Sequence, residues 1–354
     1  MRVLVVRLGA MGDVLHAMPA VAALRAQLPE CHVGWIIEPR WAPLLQRDAG
    51  ALPRTATMPL VDVVHMANAR GWARRPFAVS AWRAMRQLRR ELHAQKYDLA
   101  IDLQGAVRSA LMGRASDAEL VGEAKPREGP AKWFFQRLVP TRSVHVIDQA
   151  TEVVAGATGL YLNPELPPLP VDCGAEARVH VMMPDTKPLV LVHPGAGWGA
   201  KRWPAERYGR VAAGLASRGY SVVVNRAPGE EALAANVAQS SGGAAQDIRT
   251  DMAELIAMTR RCALVIGGDT GPAHLACALG KPVVGIYGPT DPARNGPWGV
   301  PFRVLRHPES RRDHARRNAP EAGLLTIEPE EVLDAVDELI GGAGSSAGRA
   351  AVQA

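Results

Sequence analysis

Apolar residues along the chain fall into short unbroken blocks rather than alternating with polar ones. Residues 3–6 (VLVV), 32–37 and 97–103 (YDLAIDL) form such blocks in the first half. Residues 189–192 (LVLV), 220–224, 262–266 (CALVI) and 283–287 form them in the second. Blocks rich in Val, Ile and Leu predict strands buried on both faces, as in a parallel sheet. Between them, apolar positions recur at helical spacing through Val21 and Leu24, through Leu111, from about Pro204 to Arg218, and through Leu279. Strands alternating with helices predict crossover units and a doubly wound α/β fold.

The pattern starts twice. Strand, glycine turn and helix follow one another at Leu8-Gly9-Ala10-Met11-Gly12-Asp13 and again at His193-Pro194-Gly195-Ala196-Gly197-Trp198-Gly199. Residues 163–188 interrupt it with NPELPPLPVDCG, a short strand expected around 179–181, and MPDTKP. That proline density predicts a linker. The expected organisation is therefore a Rossmann-like domain over 1–163, a linker over 164–188 and a second Rossmann-like domain over 189–326. An amphipathic helix over 327–340, with Pro329 early in it, and a disordered Gly/Ser/Ala tail over 341–354 complete the chain.

A length of 354 residues agrees with two domains. Hydrophobic residues at 47% and charged residues at 21% exclude a mainly disordered or collagen-like chain. Cys31, Cys173, Cys262 and Cys277 form neither CxxC nor a Cys/His group at zinc spacing. A disulfide framework and a structural zinc are not expected, and a reducing cytoplasm is. No apolar run reaches the ~18 residues of a membrane span, and the first apolar stretch breaks at Arg7 without a signal-peptide pattern.

Charge narrows the partners. Lys and Arg number 41 against 35 Asp and Glu, a net +6 that favours anionic ligands or surfaces. Aromatics are 5% and do not interleave with a basic stripe, so nucleic acid is not an expected partner. Basic residues gather at Arg70, Arg74 and Arg75, at Arg83, Arg86, Arg89 and Arg90, and at Arg311, Arg312, Arg316 and Arg317. The 83–90 set fits either a solvated helix face or a contact with anionic lipid.

Three turns carry candidate chemistry. In GGDTGPAHLACALGKP (267–282) a buried strand ends in glycines, Asp269 sits at the turn, and Thr270 is placed to cap a helix beginning near Pro272. Backbone amides and the helix dipole there suit a diphosphate. Thr270 fits plain capping and direct contact equally, and His274 fits a structural histidine or one facing the ligand. The spacing is not that of a P-loop. In HPGAGWGAKRWP (193–204), Gly195, Gly197 and Gly199 permit close backbone approach and Lys201 suits a phosphate, the alternative being a solvated basic loop. LGAMGD (8–13) has GxxG where a nicotinamide site has GxGxxG, although Glu38 ends the second strand as a ribose-binding acid would. Asp13, at a helix start, fits a dipole-compensating carboxylate or a proton acceptor for an attacking hydroxyl.

Together MGDVLHAMPA (11–20), IDLQGAVRSAL (101–111), HPGAGWGAKRWP and GGDTGPAHLACALGKPVVGIYGPTDPARNGPWG (267–299) resemble the lipopolysaccharide heptosyltransferases of glycosyltransferase family 9. The likeness covers nearly the whole chain to about residue 340. It implies a GT-B architecture, two facing Rossmann-like domains with an interdomain cleft. MGDVLH and KPREGPAKWFF (125–135) look more like type I, which adds the first heptose, than type II. By this resemblance Asp13 is the general base, beside Met11 and Gly12 on the acceptor side. Lys201 meets the diphosphate, Asp269 binds donor heptose hydroxyls, and Thr270, Gly271 and His274 cradle the pyrophosphate. Glu230 is preferred to Glu231 for the adenosine ribose, and Arg127 and His145 match acceptor- or heptose-side positions. RLGA (7–10) departs from a more hydroxyl-rich segment in some type I members, which removes the basis for a serine contact there.

The implied donor is ADP-L-glycero-β-D-manno-heptose and the implied acceptor Kdo₂-lipid A, with no cofactor and no metal. A Kdo hydroxyl would displace ADP in one inverting step as Asp13 takes its proton. The implied setting is cytoplasmic, peripheral on the inner face of the bacterial inner membrane. Type II or protein-directed heptosyl transfer and a 2-epimerase share the fold. A nicotinamide oxidoreductase and a non-catalytic nucleotide-sugar-binding protein are the alternatives from other classes.

Overall fold

The computed structural model describes residues 1–48, 50–74, 78–183, 186–312 and 317–341. The chain divides into two compact units, Met1–Asp172 and Cys173–Ala354. Arg75, Arg316 and the expected tail beyond residue 341 lie outside the described residues.

The first unit holds β1 (Arg2–Val6), β2 (His32–Ile37), β3 (Val63–Met66), β4 (Leu99–Asp102), β5 (Glu119–Glu123) and β6 (Arg137–Val139). They form one parallel sheet in the order β3-β2-β1-β4-β5-β6. The second holds β7 (Leu189–His193), β8 (Ser221–Arg226), β9 (Ala245–Arg249), β10 (Leu264–Gly267), β11 (Val283–Ile286) and β12 (Phe302–Leu305). Its parallel order is β12-β11-β10-β7-β8-β9. Each sheet reverses its chain order once, between β1 and β4 and between β7 and β10. Loops leaving the carboxyl ends of strands at such a reversal are where open α/β sheets bind ligands.

The unbroken apolar blocks follow from burial on both faces. Along β7, Val190 and Val192 join a core with Trp203, Tyr208, Val211 and Leu215, while Leu189 and Leu191 join another with Val179, Met258 and Ala276. Trp203 is almost fully buried, meets Tyr208 edge-on at 4.8 Å between ring centroids, and donates from Nε1 to the Ile327 carbonyl at 3.1 Å. That anchor fixes the end of the loop that follows β7.

The interruption after residue 163 is more ordered than its prolines predict. Residues 164–172 stay with the first unit: the Glu165 amide donates to Pro19 O at 3.2 Å, the Val171 amide to Ala56 O at 2.7 Å, and Leu169 is buried. Where a short strand is expected around residue 179, the chain forms the helix Cys173–Met182. Ala175 and Val179, four apart, are its buried face, packed on the helix Met252–Arg261. A short apolar run does not by itself tell helix from strand, and the tertiary partner decided. The last helix spans Pro329–Gly341, preceded by a 3₁₀ turn at Gly323–Thr326.

His193 closes β7 only 4% exposed, and burial pushes its imidazole down to about 4 despite a hydrogen bond with the Asn225 backbone. An unfolded histidine titrates near 6.5. The folded form therefore holds its full advantage above about pH 6.5 and loses it as pH falls toward about 4. The stability gap between wild type and His193→Asn should shrink by roughly 2–3 kcal/mol from pH 7 to pH 4. Urea unfolding at both pH values measures it, and a constant gap contradicts a buried neutral His193.

Candidate active site

The second unit gathers charge at its strand-order reversal. Lys201 ends the 3₁₀ turn Gly199–Lys201, and its Nζ lies 4.3 Å from the Trp198 ring centroid. From β10 the chain turns through Asp269, whose Oδ2 meets Lys201 Nζ at 2.5 Å and whose Oδ1 meets His274 Nε2 at 3.1 Å. Lys201 Nζ also reaches the Asp269 carbonyl at 3.4 Å. The Lys201, Asp269 and His274 side chains are only 10%, 8% and 6% exposed. Burial opposes ionisation of Asp269, but the His274 hydrogen bond and the Lys201 ammonium outweigh it and hold the carboxyl well below the usual range.

Thr270 occupies the N-cap position of the helix Gly271–Ala278, but not as a capping side chain. Its hydroxyl donates to Gly268 O at 3.3 Å. The capping expected from a threonine at this place is therefore absent, and no side chain of Thr270 covers the helix-start amides. Such amides attract anions. Glu230 lies beside the loop after β7: its carboxylate occupies the space that a Cβ on Gly195 would take. Its Oε2 accepts from the Ala227 amide at 2.9 Å. Glu231 turns instead to Arg226 at 3.4 Å and the Gly229 amide at 3.3 Å.

In the first unit the reversal lies at β1 and β4. Met11 is buried, and Gly12 and Asp13 follow it in the first turn of the helix Met11–Gln27. Asp13 Oδ2 accepts from the Ala10 amide at 2.9 Å, and Oδ1 pairs with an Arg7 guanidinium nitrogen at 3.0 Å. The Asp13 side chain remains 38% exposed. Gly9, at φ 152°, lies against the Trp41 indole, and a Cβ would meet Nε1 at 2.6 Å. His145 caps the helix Val146–Thr158, accepting from the Ile147 amide at 3.3 Å, and its ring stands edge-on to His16 at 6.2 Å. His16 is one turn beyond Asp13 on the same helix. Arg127 is exposed; its amide backs onto Gly105 after β4.

Each unit thus collects its own predicted residues. Lys201, Asp269 and His274 make one buried cluster with Thr270 and Gly271 adjoining, and Glu230 flanks the same loop through Gly195. Met11, Gly12 and Asp13 share a turn, with His145 near through His16.

Sequence patterns did not reveal three polar residues that build the first unit's turns, or a fourth that is buried after β11. Arg7 pairs with Asp13 and also donates to the carbonyls of Asp13, at 3.1 Å, and Leu103. Asp102 and Gln104 shape the turn after β4. Thr290, 2% exposed after β11, has a buried hydroxyl with no hydrogen-bond partner among the described residues. All four fall in stretches whose motif content was visible, RLGA, IDLQG and GPTDP, but whose contacts were not. Among the described residues no group of three or more His, Cys, Asp or Glu could hold a metal ion.

The sequence model of glycosyltransferase family 9 (heptosyltransferase) matches residues 85–324. Lipopolysaccharide heptosyltransferase 1 of Pseudomonas aeruginosa is 29% identical over 315 residues, which cover 84% of this chain and 82% of that protein. Lipopolysaccharide heptosyltransferase 1 of Escherichia coli K12 is 27% identical over 356 residues, 96% of this chain and 100% of that one. The solved E. coli heptosyltransferase WaaC with ADP superposes with a TM-score of 0.78 at 24% identity, over 96% of this chain and 99% of that one. The two parallel sheets and this match establish the GT-B fold. The family sets aside an oxidoreductase: the chain belongs to glycosyltransferase family 9, the heptosyltransferases, and is a transferase.

Proposed function

We propose that the chain transfers L-glycero-D-manno-heptose from ADP-heptose to a Kdo residue of Kdo₂-lipid A, with inversion, in lipopolysaccharide inner-core synthesis. The buried Lys201–Asp269–His274 cluster beside the start of the helix Gly271–Ala278 carries the proposal. It combines a cation and helix-start amides without a side-chain cap from Thr270, which suit a diphosphate, with a carboxylate kept ionised, which suits sugar hydroxyls. Two relatives named heptosyltransferase 1, matched over most of their length, support the first-heptose acceptor.

In this mechanism Lys201 shares its ammonium between Asp269 and the diphosphate, and the helix-start amides, Gly271 foremost, spread the charge that develops on departing ADP. Glu230, flanking Gly195, holds the ribose, while Thr270 and His274 border the pyrophosphate. Asp13 takes the proton of the attacking Kdo hydroxyl. Its two oxygens each accept one contact, from Ala10 and Arg7, which orients the carboxylate and leaves lone pairs for that proton. Met11, Gly12, Arg127 and His145 border the acceptor.

A lipid acceptor requires a place at the bilayer. No helix among the described residues is long and apolar enough to cross a membrane. The helix Val79–Gln95 buries Ala81, Leu88 and Leu92 and exposes Arg83, Arg86, Arg89 and Arg90. Val79 and Trp82, 65% and 54% exposed, stand at its beginning. Arginines around an exposed tryptophan suit an anionic headgroup layer, and this helix would hold the enzyme on the cytoplasmic face of the inner membrane.

Release of ADP from ADP-heptose should depend on Kdo₂-lipid A. In Asp13→Ala it should fall by about 100- to 10,000-fold with the donor KM nearly unchanged; an undiminished rate makes Asp13 a helix-start carboxylate only. Lys201→Met should weaken ADP binding by tenfold or more in calorimetry, the order of a charge-assisted contact to phosphate, whereas unchanged affinity removes Lys201 from the donor site. Phosphatidylglycerol vesicles should float the wild type at low salt and fail to float a variant carrying Trp82→Ser, Arg83→Ser, Arg86→Ser and Arg90→Ser. Equal flotation of both assigns the membrane contact elsewhere.

A further inference from the structure

The turn that presents Asp13 is held from β4. Asp102, 1% exposed at the end of that strand, accepts from the Gln104 amide at 2.7 Å and the Gly105 amide at 2.8 Å through Oδ1. Its Oδ2 accepts from the Ser109 hydroxyl at 2.8 Å. These bonds set the Gln104–Gly105 turn. Gln104, 9% exposed, then reaches across to the loop after β1, where Oε1 accepts from the Leu8 amide at 3.1 Å. The adjacent residue is Arg7, whose guanidinium bridges Leu103 O, Asp13 O and Asp13 Oδ1.

We infer that Gln104, set by the buried Asp102, and Arg7 are positioning residues that hold Asp13 in place to accept the proton of the incoming hydroxyl; the inference rests on the assignment of Asp13 as base. On one side the loop after β1 is tied to β2, by the Arg7 amide to Ile36 O at 3.3 Å, Trp35 Nε1 to Arg7 O at 3.0 Å and the Glu38 amide to Leu8 O at 3.0 Å, and its path determines where the next helix starts. On the β4 side it is pinned at two successive residues: Leu8 by its amide and Arg7 by its side chain. Both pins come from the residue pair Leu103–Gln104. Burial raises Asp102 to about 6, so near neutral pH it is the ionised acceptor for its three donors. Displacing a base by about an ångström costs on the order of 100-fold in rate.

A double-mutant cycle tests this through ADP release with ADP-heptose and Kdo₂-lipid A. Gln104→Met removes the acceptor for Leu8 at similar volume, and Arg7→Met removes the guanidinium. Each should lower kcat by 10- to 100-fold, leave the donor KM within about threefold, and cost nothing further when added to Asp13→Ala. Gln104→Glu, which keeps the acceptor oxygen, and Arg7→Lys, which keeps the charge, should recover most of the loss. Should Gln104→Met fail to fold, the Arg7→Met and Arg7→Lys pair carries the same comparison. Wild-type kcat in both methionine variants, or a further loss in the Asp13→Ala background, overturns the positioning role while Asp13 stands as base. A fully active Asp13→Ala refutes the base assignment itself, and the positioning role with it.

Discussion

Asp269 is a buried carboxylate, and the second unit's site depends on how its charge is met. Leaving an ion of this kind unpaired in a protein interior costs several kcal/mol, so its partners must arrive with good geometry. Lys201 comes from the loop after β7 and His274 from the helix after β10, and both converge on one carboxylate. The pair thereby joins the two loops at the point where strand order reverses. A cluster held this way is paired within the protein and still has donors to share. Lys201 carries three N–H groups, and the helix-start amides beside Thr270 take no capping bond from its side chain.

The first unit solves a related problem with a more exposed carboxylate. Asp13 is met by Arg7 and by its own N-cap amide, so it is oriented without being sealed from solvent. Asp269 is buried between Lys201 and His274. Asp13, the proposed proton acceptor, is left partly open beside Arg7. The same sheet topology supports both because each places its polar turn beyond the carboxyl end of the central strands.

Much of the fold was legible in the residues alone because a parallel sheet covered on both faces demands continuous apolar strands. VLVV and LVLV show that demand directly. Lys201, Asp269 and His274 were legible because glycine turns mark strand ends, and local sequence carries that signal. Arg7 and Gln104 were not: the Gln104–Leu8 bond joins residues 96 apart, and nothing local to either residue announces it. The helix Cys173–Met182 was missed for a similar reason, since Ala175 and Val179 become a buried face only against the helix Met252–Arg261. At Thr270 local sequence left capping and direct contact both open, and the hydroxyl turns to Gly268.

Inverting heptosyl transfer to a Kdo sugar leaves its mark in the linkage of the product. Kdo₂-lipid A incubated with the enzyme and β-configured ADP-heptose would be analysed by mass spectrometry and by the anomeric coupling of the added sugar. The expected product gains one heptosyl residue, α-linked to Kdo. A β-linked product, or an unmodified acceptor with ADP released in its presence, contradicts it.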